Sequence, residues 1–357
     1  MVNVFGQELS RRELLRRVGS LDQVAGVRRV RLEDGPEDGV TVVEVRTGGG
    51  LRYTVVPSRA MDVATAEVDG VPIAWRTGAG EMHPAYLYRT NGWNVGWFGG
   101  LLATCGLDNV GSPGQDELGV FGQHGWINGV AARQVNHGGR WDGERYVMWV
   151  EGELRQKEAW MPGTFDVVLR RRIESELGSR TIRITDEAEN LSEAPAPLML
   201  LYHVNLGYPL VGPEAEIVSR ARSVTPFGGG DHDPAALRVV PPGPDVRAGG
   251  HVHEVVPDAD GYAEAALLND RLGIGLALRF PVAELPSFRQ WKALMNRRYV
   301  VALEPANYAG GNRVQARDRG TLQTLGPGEV RAFHLELTAL RGADELAAAR
   351  ERMKLVG

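Results

Sequence analysis

Three ionisable side chains in this sequence stand in apolar or glycine-rich surroundings. The first is His203, in LYHVNLGYPL (201–210), with Asn205 two residues further on. Side chains two apart on a strand face the same way, so His203 and Asn205 share one face, and Tyr202, Val204 and Leu206 share the other. Burying such groups without partners costs roughly 1–3 kcal/mol each, which implies either a hydrogen-bond network or a ligand. The second is His124 in FGQHGWING (121–129), a turn whose glycines let backbone and imidazole approach a ligand closely, with Trp126 just beyond. The third is Glu304 in RYVVALEPANYAGGNR (298–313), which interrupts an apolar strand and is followed by a proline and then Asn307. Alternation sets Ala302, Glu304 and Ala306 on one face. A free carboxylate titrates near about 4.3 and a free imidazole near about 6.5, so at neutral pH the glutamate is a ready base. An imidazole kept protonated by a neighbouring carboxylate can return the proton.

Further polar residues are candidates for binding rather than proton transfer. SFRQWKALMN (287–296) sets Gln290 and Lys292 on one face around Trp291, and VPSRAMDVA (56–64) closes a strand with Arg59 and Asp62. The chain has eight tryptophans, of which Trp93, Trp97, Trp126 and Trp291 lie in or beside these glycine-rich or polar segments. Flat indoles stack on the C–H faces of a pyranose, while Asn, Gln, His, Arg and Asp pair with its hydroxyls, so the composition suits a sugar. Trp75, Trp141, Trp149 and Trp160 lie on plain strands and are read as core.

The elements that must position these groups are strands. Runs such as GVTVVEVRTGGGLRYTVVPSR (39–59), DVATAEVDGVPIAW (62–75), FDVVLRRRIESELGSRTIRITDEAEN (165–190) and LGIGLALRF (272–280) alternate with period two. DG at 69–70 and LGSR at 177–180 fit hairpin turns. Helical periodicity appears only near the ends, in SRRELLRRVG (10–19) and GADELAAARERMKLVG (342–357). Many short strands with few helices point to an all-β sandwich or barrel rather than βαβ units. One domain over 1–357 is expected, with 1–38 as helix and lead-in and 209–262, rich in Gly and Pro, as a long loop or insertion.

Composition excludes several classes. The 357 residues are 43% hydrophobic and 24% charged, with a formal net charge of −5 and no basic block, which argues against a nucleic-acid surface. RRELLRR (11–17) and RRR (170–172) read as a solvated helix face and a strand end. One cysteine, Cys105, allows no internal disulfide and no cysteine-based metal site. His251, His253 and the triplet Asp231–His232–Asp233 lie in the loosest segment without metal-ligand spacing, so no metal is expected. No apolar run approaches the ~20 residues that cross a bilayer, and the N-terminus lacks a signal-peptide core, so a cytoplasmic protein, monomer or homodimer, is expected. No phosphate-cradling glycine motif and no redox cofactor motif stands out.

Several segments together carry a resemblance: GGLLATCGLDNVG (99–111), HGWIN (124–128), LMLLYHVNLGYPL (198–210), QW (290–291), ALEPAN (302–307) and LGPGE (325–329). The chain resembles the galactose mutarotase-like, or aldose 1-epimerase, superfamily over about residues 40–340, within an aldose 1-epimerase-like branch. The resemblance implies a β-supersandwich with a sugar site on the concave face of the larger sheet. It implies His203 as general acid, Glu304 as general base and His124 as a ligand on the ring side of the sugar. It also implies a site arginine, for which Arg59 is the choice and Arg89 the rival, and a sugar-holding aspartate, for which Asp62 is taken. The sequence departs from the superfamily where YHVN replaces the usual surround of the acid. The expected activity is interconversion of sugar anomers without a cofactor. The alternatives are a sugar isomerase or epimerase acting at another carbon, and a non-catalytic carbohydrate-binding module. A phosphosugar would draw on Arg59, Arg89 and Lys292.

Overall fold

The period-two runs assemble into two stacked antiparallel sheets. The structure is a computed structural model describing residues 1–89, 92–157, 165–244, 248–354 and 356. Trp160 and the Arg89 side chain lie outside the described residues. Among those described, the larger sheet runs in the order Ala221–Pro226, Ala248–Val255, Ser287–Met295, Arg298–Ala306, Met199–Gly207, Leu102–Leu107, Asp62–Val68, Leu51–Val56, Thr41–Arg46, Gly26–Arg31. The smaller runs Arg133–Asp142, Arg145–Lys157, Asp166–Glu176, Thr181–Asn190, Val330–Arg341, Ile274–Pro281, Tyr262–Asn269, Ala215–Ser219. The stretch 209–262 therefore supplies strands to both sheets.

Alternation decides which side chains fill the space between the layers. Tyr202, Val204, Phe288, Val301 and Leu303 of the larger sheet belong to one buried cluster with Leu169, Ile184, Leu278, Phe280 and Leu337 of the smaller. The opposite face of the larger sheet carries Ala103, Cys105, Leu201 and Ala306 in one cluster and Trp75, Ala293 and Val300 in another. This outward face holds the polar residues with catalytic potential.

Local chemistry fixes the joints. Asp69 and Gly70 have φ of 51° and 80°, the pair of positive values that a two-residue primed turn requires. Ser10 caps the helix Arg11–Leu15, and Glu13 returns the bond to the Ser10 N–H. A second terminal helix spans Gly342–Arg352. The helices Gly92–Gly96 and Arg313–Asp318 were not expected, because five and six residues are too few to display a helical period. Of the tryptophans read as core, Trp75 is buried, whereas Trp141 and Trp149 are only half-buried and lie under Arg11 and Arg172 respectively.

Candidate functional site

A hollow of about 340 Å³ opens on the outward face of the larger sheet, lined by His203, Glu304, His124, Arg289, Tyr308 and a set of aromatics. The register between strands builds its floor. Ala103 pairs with His203, Val204 pairs with Leu303, and Glu304 pairs with Arg289. His203, Glu304 and Arg289 therefore stand in one row across three neighbouring strands, beside the small Ala103. Nε2 of His203 lies 3.4 Å from Oε1 of Glu304. Nδ1 of His203 is buried and has no partner among the described residues.

His124 approaches from a loop held in a strained shape. Its φ is 57°, a left-handed value unusual for a side-chain-bearing residue and one that clusters at functional sites. The neighbouring Gly125, at φ 67°, admits no Cβ, which would lie 2.2 Å from the Gly106 carbonyl. The His124 carbonyl accepts from Gly106 N–H at 3.0 Å, and its N–H donates to the Gly111 carbonyl at 2.9 Å. The ring Nδ1 accepts from Gly111 N–H at 3.4 Å, which leaves the hydrogen of the neutral ring on Nε2. Burial, then the neighbouring His203 and Arg289, push its pKa down to about 3. His124 is thus a neutral donor at ordinary pH, with its ring centroid 6.0 Å from that of His203.

Indoles wall the hollow. Trp93 and Trp97 stack at 4.9 Å, Trp93 sits 4.6 Å from the His124 ring, and Trp97 and Trp291 lie 5.3 and 6.1 Å from the His203 ring. Nε1 of Trp97 is buried without a partner among the described residues. Such an arrangement offers flat apolar faces and several unspent polar atoms, which is what a polyhydroxylated ring requires.

The remaining sequence candidates stand elsewhere. Arg59 is wholly buried, and its Nε, Nη1 and Nη2 donate to the carbonyls of Asn128, Met82 and Gly96 at 2.7, 2.8 and 2.8 Å. Burial lowers its pKa to about 10. Asp62 lies between the sheets, accepting from the Thr104 N–H and hydroxyl at 2.9 and 2.6 Å, with Arg171 3.5 Å away. Burial raises its pKa to about 6, against the opposing pull of Arg171 and Thr104. Asn205 shares the His203 face but donates to the Gly100 and His203 carbonyls. Asn307 pins Leu198 and Leu200. Trp126 is 37% exposed and does not line the hollow.

Gln290 and Lys292 do share a face, but the other one. Gln290 meets His253 at 3.0 Å and donates to the Ala236 carbonyl, and Lys292 donates to the carbonyls of Ala236 and Arg238. Arg289 and Trp291 hold the site positions instead. Arg289 and Tyr308 were missed, although Arg289 is two residues before Trp291 and so had to follow it. The histidines of the 209–262 stretch have separate partners: His251 meets Asp233 at 3.2 Å, His253 meets Ser219 at 2.7 Å, and His232 accepts from Val224 N–H. Among the described residues no group of three or more His, Cys, Asp or Glu could hold a metal, and no helix is long and apolar enough to cross a membrane.

Comparison with solved structures finds the same architecture. A Klebsiella pneumoniae protein provisionally named an aldose 1-epimerase superposes with a TM-score of 0.84 at 20% identity, covering 94% of this chain and 92% of that one. A galactose mutarotase-like protein from Clostridium acetobutylicum superposes at 0.60 with 14% identity, covering 89% and 99%. A galactose mutarotase related enzyme from Lactobacillus acidophilus gives 0.57 at 11%, covering 84% and 97%. At these identities the likeness establishes the fold, which is galactose mutarotase-like. No curated protein matches the sequence. A family model described as "Domain of unknown function (DUF4432)" matches residues 37–339, most of the chain, so this protein belongs to that family.

Proposed function

We propose that this single-domain protein interconverts the anomers of a sugar by acid–base ring opening, as an aldose 1-epimerase-like isomerase. One observation carries the reading: a carboxylate and an imidazole 3.4 Å apart, with a second, neutral imidazole beside them, in one indole-walled hollow. Glu304 takes the proton from the C1 hydroxyl. The bond between C1 and the ring oxygen breaks, C1 becomes the aldehyde carbon, and the ring oxygen takes a proton from His203. Rotation about C1–C2 presents the other carbonyl face, and closure runs with the two roles exchanged. His124 donates its Nε2 hydrogen towards the ring oxygen and keeps it oriented. The names of the structural relatives agree with sugar chemistry.

Anomer exchange measured by two-dimensional exchange NMR on a panel of aldoses tests the reading. The wild-type chain accelerates exchange of at least one sugar, and Glu304→Gln lowers that acceleration by about 10²–10⁴-fold. An exchange rate equal to the uncatalysed one for every sugar, or a new sugar appearing on chromatography, would overturn it.

A further inference from the structure

We propose that the sugar this hollow takes carries an anionic group, a carboxylate or a phosphoryl, and that Arg289 holds it. The inference rests on the sugar reading of the site and names its substrate class.

Arg289 lies on the strand Ser287–Met295, directly opposite Glu304, and lines the hollow. Nη1 donates to the hydroxyl of the buried Tyr308 at 3.0 Å. The guanidinium lies over the rings of Phe227 and Tyr308, with centroid distances of 4.1 and 5.6 Å. These contacts fix the plane of the group but leave its charge unanswered. Among the described residues no carboxylate comes within 4.0 Å of it, including Glu304 on the next strand. Among the described residues Nε is buried without a partner and Nη2 has no hydrogen bond, Nη1 alone donating to Tyr308. The hydrogens of Nε and Nη2 lie along one edge of the planar guanidinium, the edge that meets two oxygens of a carboxylate or phosphoryl in parallel. Tyr308 occupies only the other nitrogen.

The surroundings keep that fork in place. Gly310, at φ 103°, lies against it, and a Cβ there would come within 3.1–3.2 Å of Nη2 and Nη1. The fully buried arginines of the protein have their donors met. Arg171 pairs with Asp186, Arg313 pairs with Asp116, and Arg59 has three carbonyls. A cation with a buried donor left unpaired at Nε is expensive to maintain for structure alone. A single anionic oxygen pair on a ligand answers both donors and the charge. The volume, about 340 Å³, lies at the small end of the roughly 300–1,000 Å³ typical of ligand sites, which suits a monosaccharide bearing one such group.

The test compares matched sugars on the full-length chain: D-glucose, D-glucuronate and D-glucose 6-phosphate, with the same three forms in the galacto series. Dissociation constants come from titration calorimetry and exchange rates from NMR. The expected result is at least tenfold tighter binding of one charged form than of its neutral parent, with the carboxylate and phosphate arms deciding between the two groups. In Arg289→Gln that ratio falls to near one, and Arg289→Lys, which keeps the charge but loses the fork, retains part of it. Tyr308→Phe, which unhooks Nη1 without removing the charge, weakens the charged sugar about three- to tenfold. Neutral sugars binding as tightly as their charged counterparts in the wild-type protein overturn the inference without any variant, as does a ratio that survives Arg289→Gln. Charged sugars that bind through Arg289 without accelerated exchange remove only the isomerase reading. Neutral sugars that exchange rapidly without preference for charge remove only this one.

Discussion

The imidazole of His203 and the carboxylate of Glu304 meet at 3.4 Å because two strands distant in the chain pair in a register that sets the residues opposite one another. Both are buried, and both project from the outward face of the larger sheet. A one-residue slip between these strands would turn one of them into the space between the sheets. If the pair performs proton transfer, Glu304→Gln and His203→Gln each lower kcat for anomer exchange by about 10²–10⁴-fold. Sugar affinity, measured by saturation-transfer NMR, changes far less. Loss of binding parallel to loss of rate would assign the pair to binding instead.

Trp97 has a buried indole N–H without a partner among the described residues. A donor already unpaired in the folded protein contributes nothing by hydrogen bonding, so its removal costs no bond. Trp97→Phe therefore leaves the melting temperature within a few degrees of wild type while raising KM for the sugar about 5- to 50-fold. A large drop in melting temperature with unchanged KM would make Trp97 a packing residue only.

Arg59 holds three chain segments through the carbonyls of Met82, Gly96 and Asn128. Lysine cannot reach all three acceptors, and orphaned buried carbonyls and a buried charge together cost about 3–5 kcal/mol. Arg59→Lys lowers stability to chemical denaturation by that order, and the folded fraction keeps the wild-type KM. A variant of normal stability with altered KM would return Arg59 to the sugar site.

His253 is buried, and burial pushes its pKa down to about 3 despite its bond to Gln290. The unfolded chain takes up a proton on this ring below about pH 6.5 and the folded one does not, so the stabilisation is present above that pH and is lost as the pH falls towards 3. Each pH unit in that window costs about 1.4 kcal/mol. His253→Gln is less stable than wild type at pH 7, because Ser219 loses its ring partner, and the deficit shrinks as the pH is lowered to 4.5. Urea titrations at pH 7, 5.5 and 4.5 read the difference. Asp62 contributes with the opposite sign between about pH 4 and 6, since its raised pKa favours the folded state as protons are added. It is common to both proteins and cancels in the comparison.

Much of the fold could be read from alternation and turn residues, because a half-buried strand writes its two faces directly into the chain. The same signal says which residues share a face without saying which face is which. Gln290 and Lys292 were grouped correctly and given to the wrong side, and Arg289, one residue away, was overlooked for the same reason. Arg59 and Asp62 misled differently. Polarity at a strand end marks a group that needs partners, and the partners here are backbone carbonyls, Thr104 and Arg171 rather than a ligand.

By itself the sequence determined the strand-rich architecture, the joints that need positive φ, and the presence of two histidines and a glutamate in surroundings that demand partners. These follow from local steric and solvation preferences. Only the tertiary structure decided that His203, Glu304 and Arg289 form one row, that His124 faces them as a neutral ring, and that the Arg289 fork is left open. Those facts depend on strand register and on the low-dielectric packing of segments far apart in the chain, and no local pattern encodes either.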